Sequence, residues 1–137
     1  MSGRVARVAA HAKLNLFLRV LSREQDGYHG IETLFARIAL ADDVTVHVDT
    51  HDRTIDCGIA NVGPAARNLA FRAAEAFRAA MGWPDGFHIE IAKRIPTGGG
   101  LGGGSADAGA VLRALAALAP EPVPNDTLLS MAMALGS

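Results

Sequence analysis

The first half of the chain alternates apolar and polar residues, a pattern typical of half-buried β-strands. Over residues 13–21, leucine or valine occupies every second position, between Lys, Asn, Phe and Arg. A period of two over that length predicts a strand with one face against a core. The polar stretch 22–30, which contains Asp26-Gly27, predicts a turn. Further strands are predicted over residues 31–38 and 44–48, with a short one over 55–58.

The second half changes to the period of an amphipathic helix. Apolar residues recur every three or four positions over 69–81, and Gly82 and Pro84 predict that the helix ends there. Residues 87–91 return to alternation and predict another half-exposed strand, which Pro96 ends. A helix is therefore expected between two strands.

A run of glycines follows this strand and precedes a second helix. Six of the seven residues from 98 to 104 are glycine, and residues 105–118 are small and apolar, as in a buried helix. The prolines within 120–124 predict a stiff connection, and Asn125 is expected to cap a third helix that ends at Gly136. Alternating strands mixed with helices predict an α+β fold, with a mostly antiparallel sheet packed against helices.

Composition and charge exclude several classes of protein. The 137 residues fit one domain, and half of them are hydrophobic, as in a globular protein. A net charge of -1 gives no broad positive field, so no nucleic-acid partner is expected. No apolar run approaches the roughly 18 residues that span a bilayer, so no membrane partner is expected. Cys57 is the only cysteine, which allows no internal disulfide and favours a cytoplasmic location.

The glycine run carries the clearest chemical signal. Glycines let backbone N–H groups approach an anion, and the N-terminus of the following helix adds further N–H groups and the positive end of its dipole. Ser105 can also donate its hydroxyl to a phosphate or bind a metal ion. These residues predict a phosphate-binding loop between a strand and a helix, with a flexible glycine linker as the alternative.

Two widespread phosphate loops fit this stretch less well. No Lys-Ser or Lys-Thr follows the last glycine, so the loop is not a Walker A motif. Gly98, Gly100 and Gly103 satisfy G-x-G-x-x-G, but any long glycine run does so. A dinucleotide-binding fold also requires a fully buried parallel strand before the loop, whereas residues 87–91 alternate with polar side chains. A dinucleotide oxidoreductase is therefore disfavoured.

Several motifs resemble one family of kinases. The segment P-T-G-G-G-L-G-G-G-S-A-D-A over residues 96–108 resembles the phosphate-binding motif of the GHMP kinase superfamily. Three further segments resemble those members that phosphorylate 4-diphosphocytidyl-2-C-methyl-D-erythritol: A-H-A-K-L-N-L-F-L-R-V over 10–20, D-G-Y-H over 26–29 and T-L-F over 33–35. Asn68-Leu69 at the start of the first predicted helix also fits, so the resemblance covers nearly the whole chain.

The resemblance implies an ATP-dependent small-molecule kinase of non-mevalonate isoprenoid biosynthesis. Such a kinase transfers a phosphoryl group from ATP, accompanied by Mg²⁺, to the 2-hydroxyl of the methylerythritol part of a cytidine diphosphate conjugate. The implied fold over residues 1–137 is an N-terminal domain like the second domain of ribosomal protein S5. In the family, a C-terminal domain follows it.

The same resemblance implies roles for individual residues, none of them a metal ligand. Lys13 matches the catalytic lysine of the family. Asn15, Tyr28, His29 and Phe35 match residues on the substrate side. The implied ATP-binding residues are Pro96, Thr97, Gly98, Gly99, Gly100, Leu101, Gly102, Gly103, Gly104, Ser105 and Ala106.

Three departures from the family pattern change what is expected of this chain. His11 stands where proline is more usual, and Ala106 where serine is more usual. The catalytic aspartate of the family follows a helix end similar to Ala134-Leu135-Gly136, and this sequence reads Ser137 and stops. We therefore expect an N-terminal piece without the catalytic aspartate, which by itself binds ATP weakly and turns over negligibly. A non-catalytic nucleotide- or phosphate-binding module is the alternative.

Other polar residues have simpler interpretations. Asp107, near the start of a predicted helix, either complements the helix dipole or contacts a metal ion. Cys57 is expected to be a small buried residue rather than a nucleophile, because no basic neighbour activates it. His47 and His51 straddle a predicted strand end without further ligands nearby, which disfavours a zinc site.

Overall fold

The computed structural model describes residues 4–23, 29–58, 64–96 and 102–135, with side chains except over 14–36. Within these ranges the chain forms four strands and three α-helices. Their order is β1 (Val5–Arg23), β2 (His29–Val48), β3 (Arg53–Asp56), α1 (Leu69–Met81), β4 (Phe87–Ala92), α2 (Gly103–Leu118) and α3 (Asn125–Leu135). A 3-10 turn (Ala65–Arg67) lies directly before α1. None of the described helices is long and apolar enough to cross a bilayer.

The four strands form one sheet in the order β1-β2-β4-β3. β1 pairs antiparallel with β2, and β2 pairs antiparallel with β4, whereas β3 lies parallel to β4. The parallel pair is connected through α1, because parallel neighbours need a crossover connection. The α+β class and the mostly antiparallel sheet predicted from the sequence are confirmed.

The core lies between one face of this sheet and the helices α1 and α2. Alternate residues are buried over residues 44–48 of β2 and over residues 87–91 of β4. Phe77 of α1 and Leu115 of α2 belong to the same core as these buried strand residues, and neither side chain is exposed. Burying one such side chain contributes about 1.5–3 kcal/mol. The sheet and the two helices therefore form a rigid support for the loop between β4 and α2.

Helix α1 begins and ends where the sequence predicts. The Asn68 side-chain oxygen accepts hydrogen bonds from the N–H groups of Ala70 (2.9 Å) and Phe71 (3.3 Å), which the first turn cannot satisfy internally. Gly82 ends the helix with a φ of 68°, in the left-handed region that favours glycine. Local capping chemistry explains why both boundaries are predictable.

The second strand differs from the prediction. Residues 31–38 and 44–48, predicted as two strands, belong to the single strand β2. The charged pair Asp42-Asp43 between them is typical of a loop, but Asp42 is fully buried and accepts hydrogen bonds from Lys93 and Arg94, which follow β4. A buried carboxylate is tolerated when it is paired, so the strand continues through it.

The first strand is also longer than predicted. β1 begins at Val5 rather than at residue 13, because the Ala-rich start alternates weakly but pairs with β2. It continues to Arg23, and β2 starts at His29, so strand residues enter the predicted turn 22–30 from both sides. The centre of that turn, residues 24–28, lies outside the described residues.

Three other boundaries differ by one or two residues. β3 covers 53–56 instead of 55–58, and α2 begins at Gly103 rather than at residue 105. α3 begins at Asn125 itself, and Pro124, rather than Asn125, precedes its first turn. The Pro124 carbonyl accepts hydrogen bonds from two N–H groups of that turn. These shifts leave the order of the elements unchanged.

Candidate functional site

The predicted glycine loop lies between the end of β4 and the start of α2. Of the predicted ATP-binding residues, 97–101 lie outside the described part of the chain, whereas Pro96 and 102–106 flank them. Gly102 precedes α2 with a φ of 70°, which a residue with a Cβ adopts only with strain. The first N–H groups of a helix have no intrahelical partners, so the start of α2 provides donors suited to an anion.

Lys13 lies directly beside this junction. A Cβ atom added to Gly102 would lie 2.6 Å from Cε of Lys13 and 3.1 Å from its Cγ. The aliphatic stem of Lys13 therefore packs against the backbone where the glycine loop meets α2. The two positions are distant in sequence, and the pairing of β1 with the rest of the sheet brings them together.

An open cleft of about 770 Å³ extends from Lys13 between the sheet and the helices α2 and α3. Its lining includes three basic side chains, Lys13, Arg37 and Arg113, and one acidic side chain, Asp126. Arg37 is the β2 residue paired with Lys13 across the ladder. A cleft with an excess of positive charge attracts anionic ligands.

A buried charged cluster of Asp42, Lys93 and Asp107 lies at the ends of the same loop. The Lys93 ammonium donates hydrogen bonds to Oδ2 of Asp42 (2.7 Å) and Oδ2 of Asp107 (2.9 Å). Oδ1 of Asp42 accepts hydrogen bonds from the backbone N–H groups of Arg94 (2.6 Å) and Ile95 (2.9 Å). The cluster thus connects β2, the residues after β4 and helix α2.

The two carboxyl groups of this cluster differ in acidity. Burial, with a hydrogen bond to Asp42, raises the pKa of Asp107 to about 7, although Lys93 opposes the change. Burial alone would also raise the pKa of Asp42, but hydrogen bonds from Asp107, Ile95 and Lys93 hold it below its ordinary value. Burial would lower the pKa of Lys93, but its two carboxylate partners raise it. Near neutral pH, Asp107 is therefore the member that exchanges a proton.

The predicted substrate residues fall at different points of the β1–β2 ribbon. Asn15 and Phe35 are partners across the ladder, two positions from Lys13 along β1. His29 pairs with the last residue of β1, so the strand register does not bring it next to Lys13. Tyr28 lies outside the described residues.

Asp42 and Lys93 are not among the residues singled out in the sequence, although their position in the alternation is a usable signal. Asp42 continues the alternating series of buried positions 44, 46 and 48, and Lys93 continues the series 87, 89 and 91. A charged residue at an inward-facing position needs a partner, because an unpaired buried charge is very costly. The alternation therefore marks both residues as inward-facing charges that need a partner, but it does not identify the partner.

The structure changes the interpretation of Asp107 and supports that of Cys57. Asp107 lies beyond the first turn of α2 and pairs with Lys93 rather than complementing the helix dipole. Among the described residues, no three His, Cys, Asp or Glu side chains converge as metal ligands would. Cys57 is buried, and burial raises the pKa of its thiol, as expected for a structural residue.

Comparison with known sequences identifies the family. Residues 68–137, just over half of the chain, match the family described as GHMP kinases N terminal domain. A Desulfitobacterium hafniense protein named 4-diphosphocytidyl-2-C-methyl-D-erythritol kinase is 44% identical over 93% of this chain and 43% of its own length. A Thermus thermophilus protein of the same name is 46% identical over 93% of this chain and 44% of its own length. The chain spans less than half the length of these curated relatives.

A solved structure agrees with these sequence matches. The crystal structure of a 4-(cytidine 5'-diphospho)-2C-methyl-D-erythritol kinase is 43% identical and has a TM-score of 0.82, covering 96% of this chain and 46% of that one. The resemblance inferred from the motifs is therefore confirmed. Because the matched domain covers more than half of the sequence and the fold agrees with a solved member, the chain belongs to the GHMP kinase family.

Proposed function

We propose that this chain is the N-terminal, ATP-binding part of a kinase that phosphorylates the 2-hydroxyl of 4-diphosphocytidyl-2-C-methyl-D-erythritol. The names of the relatives at 44% and 46% identity support this substrate. Since those relatives extend well beyond the matched region, we assign the reaction to a full-length, cytoplasmic protein. The catalytic aspartate and the C-terminal domain would then lie outside residues 1–137.

The contact between Lys13 and Gly102 carries this proposal. ATP phosphates bound at the glycine loop and the start of α2 would lie within reach of the Lys13 ammonium. A cation about 4 Å from developing negative charge contributes roughly 4 kcal/mol at an effective dielectric constant near 20. Phosphoryl transfer depends mainly on positioning and charge stabilisation, which are the contributions that Lys13 and the loop N–H groups can make.

The cleft beside Lys13 suits the acceptor. Its cations Arg37 and Arg113 match the negative charge of a diphosphate, and Asn15 and Phe35 flank Lys13 on the ribbon. We assign Tyr28 and His29 to the cytidine, where an aromatic ring can stack on the base and an imidazole can hydrogen-bond.

Mg²⁺ enters this proposal together with ATP. No set of three acidic, histidine or cysteine ligands converges within the described ranges, so the ATP phosphates would be the main ligands of the ion. When bound, the ion would neutralise part of the negative charge of the phosphates. The remaining stabilisation then falls on Lys13 and on the backbone N–H groups at the start of α2.

The substitution Lys13→Met in the full-length protein tests the catalytic role. We expect ADP release with the acceptor to fall by about a hundredfold or more, as for loss of other transition-state donors. The affinity for a non-hydrolysable ATP analogue should change far less, because Lys13 acts on charge that develops in the transition state. Arg7→Met, an exposed cation on the same strand, is the matched control and should retain the wild-type rate. Equal losses of rate and affinity for Lys13→Met would contradict the assignment.

The isolated chain tests whether residues 1–137 can catalyse the reaction without the rest of the full-length protein. Residues 1–137 alone should release negligible ADP in the same assay, since we place the general base outside them. Turnover at the full-length rate would show that assumption to be wrong. Nucleotide binding by a full-length protein that never phosphorylates the acceptor would favour the non-catalytic binding module instead.

A further inference from the structure

The start of the glycine loop is anchored to β2 by backbone hydrogen bonds. Oδ1 of Asp42 accepts from the N–H groups of Arg94 and Ile95, the two residues that lead into Pro96. Asp42 is fully buried, and Ile95 is 2% exposed. The path of the chain into the loop is therefore set by one carboxylate rather than by strand pairing, which ends at Ala92.

The end of the loop is anchored to the same group of atoms. Oδ2 of Asp107, in the second turn of α2, accepts a hydrogen bond from Lys93, which also donates to Asp42. A Cβ atom at Gly103 would lie 3.0 Å from Cγ2 of Ile95 and 3.5 Å from Nζ of Lys93. The chain segments before and after the loop thus pack against each other, with the Lys93 ammonium between them.

This arrangement differs from an ordinary surface ion pair. The side chains of Asp42, Lys93 and Asp107 are 0%, 19% and 5% exposed, so solvent screens their interactions weakly. Asp42 binds the chain before the loop, Asp107 belongs to α2 after the loop, and the Lys93 ammonium contacts both carboxylates. This ammonium group therefore connects the two flanks, in addition to the packing of Ile95 against Gly103.

From this geometry we propose that Lys93 is a positioning residue for nucleotide binding, which holds the two ends of the glycine loop together through Asp42 and Asp107. The inference rests on the proposed function, because it assumes that the loop binds ATP. Lys93 acts through the loop backbone and need not touch the nucleotide. Loss of the Lys93 contacts would let the chain before the loop and the start of α2 separate, which weakens phosphate binding. Acceptor binding should change less, because Ala106 is the residue of the first turn of α2 that lines the acceptor cleft.

The test uses the full-length protein and a non-hydrolysable ATP analogue, with binding measured by titration calorimetry. Lys93→Met is the direct variant, and Asp107→Asn is a milder one that preserves volume and leaves Lys93 paired with Asp42. We expect Asp107→Asn to weaken analogue binding by about tenfold, the effect of one charge-assisted hydrogen bond. The KM for ATP should rise in parallel, and the KM for the acceptor should stay within about twofold, because the acceptor cleft does not include this cluster.

Arg94→Met is the matched control, because it retains the backbone N–H that Asp42 accepts and removes only an adjacent cation, whose side chain pairs with the partly buried Asp43. It should bind the analogue as the wild type does. If Asp107→Asn is folded and binds the analogue like Arg94→Met, the positioning role is wrong while the proposed function stands. A parallel rise in both KM values would also overturn it, since general destabilisation affects both substrates. If the wild type itself does not bind the analogue, both proposals fail.

Discussion

Asp107 illustrates how a residue's surroundings change its chemistry. Burial and the neighbouring carboxyl of Asp42 raise the pKa of Asp107 to about 7, whereas an aspartate in an unfolded chain titrates near pH 4. Between these two values the folded protein holds a proton that the unfolded chain has released. By linkage, the associated stability is fully present below about pH 4 and is lost as the pH rises through about 7.

The substitution Asp107→Asn should remove this pH dependence. We expect the wild-type free energy of unfolding to decrease by a few kcal/mol between about pH 4.5 and 7.5 through this group, and the variant to show a flatter profile. Denaturant unfolding at intervals of pH measures both profiles. Asp42, Asp43 and Asp49 have lowered pKa values, so their contributions are lost below this window and do not obscure it. Identical slopes for both proteins would contradict the assigned titration.

At the scale of the element, local chemistry decides which boundaries the sequence can predict. The limits of α1 follow from Asn68 and Gly82, which act on their own backbone neighbours. The continuity of β2 depends instead on Lys93, which is distant in sequence and neutralises Asp42 within the strand. A sequence-based interpretation that sees only neighbouring residues therefore places a break where the fold has none.

The junction between the glycine loop and α2 is sensitive to one methyl group. Gly102→Ala forces a side chain into the left-handed region and into the stem of Lys13. We expect the full-length variant to lose about 1–2 kcal/mol of stability from backbone strain. Displacement of Lys13 should also lower the rate of ADP release.

Gly109→Ala is the matched control for stability, because its new Cβ would meet no atom within 4 Å apart from its chain neighbours and the backbone of its own helix. It should stabilise α2 by about 1 kcal/mol or less, since alanine favours the helical conformation. Thermal unfolding compares the two variants with the wild type. A Gly102→Ala protein as stable and as active as the wild type would show that Lys13 does not need this close approach.

At the scale of the whole molecule, the packing of α1 and α2 against the sheet supports the site. Phe77 is fully buried, and its ring packs edge-to-face against that of Trp83, with the two ring centroids 6.3 Å apart. Phe77→Ala should lower the free energy of unfolding by about 3–5 kcal/mol, because it removes a large side chain and leaves a cavity. Trp83 is the only tryptophan of this sequence, so its fluorescence reports the transition. Met133→Ala, at a position 73% exposed, should change stability by no more than about 0.5 kcal/mol.

The fold class is more predictable than the site. Alternation and helical periodicity predict the α+β architecture, and the glycine run predicts the loop between β4 and α2. The motifs predict Lys13 as the catalytic residue, and β1 places it at Gly102. The pairing of Asp42 with Lys93 and Asp107 depends on three distant segments meeting in space, which periodicity alone does not encode.

The charged cluster also restricts how this protein can change over time. Replacing Asp42 or Lys93 alone leaves an unbalanced charge inside the protein, whereas a joint apolar replacement of the cluster would leave none. The effects of the three substitutions should therefore be strongly non-additive. Random mutagenesis that alters one codon at a time would find that Asp42 and Lys93 tolerate few substitutions. Only simultaneous replacement of the charged residues by apolar ones would be tolerated.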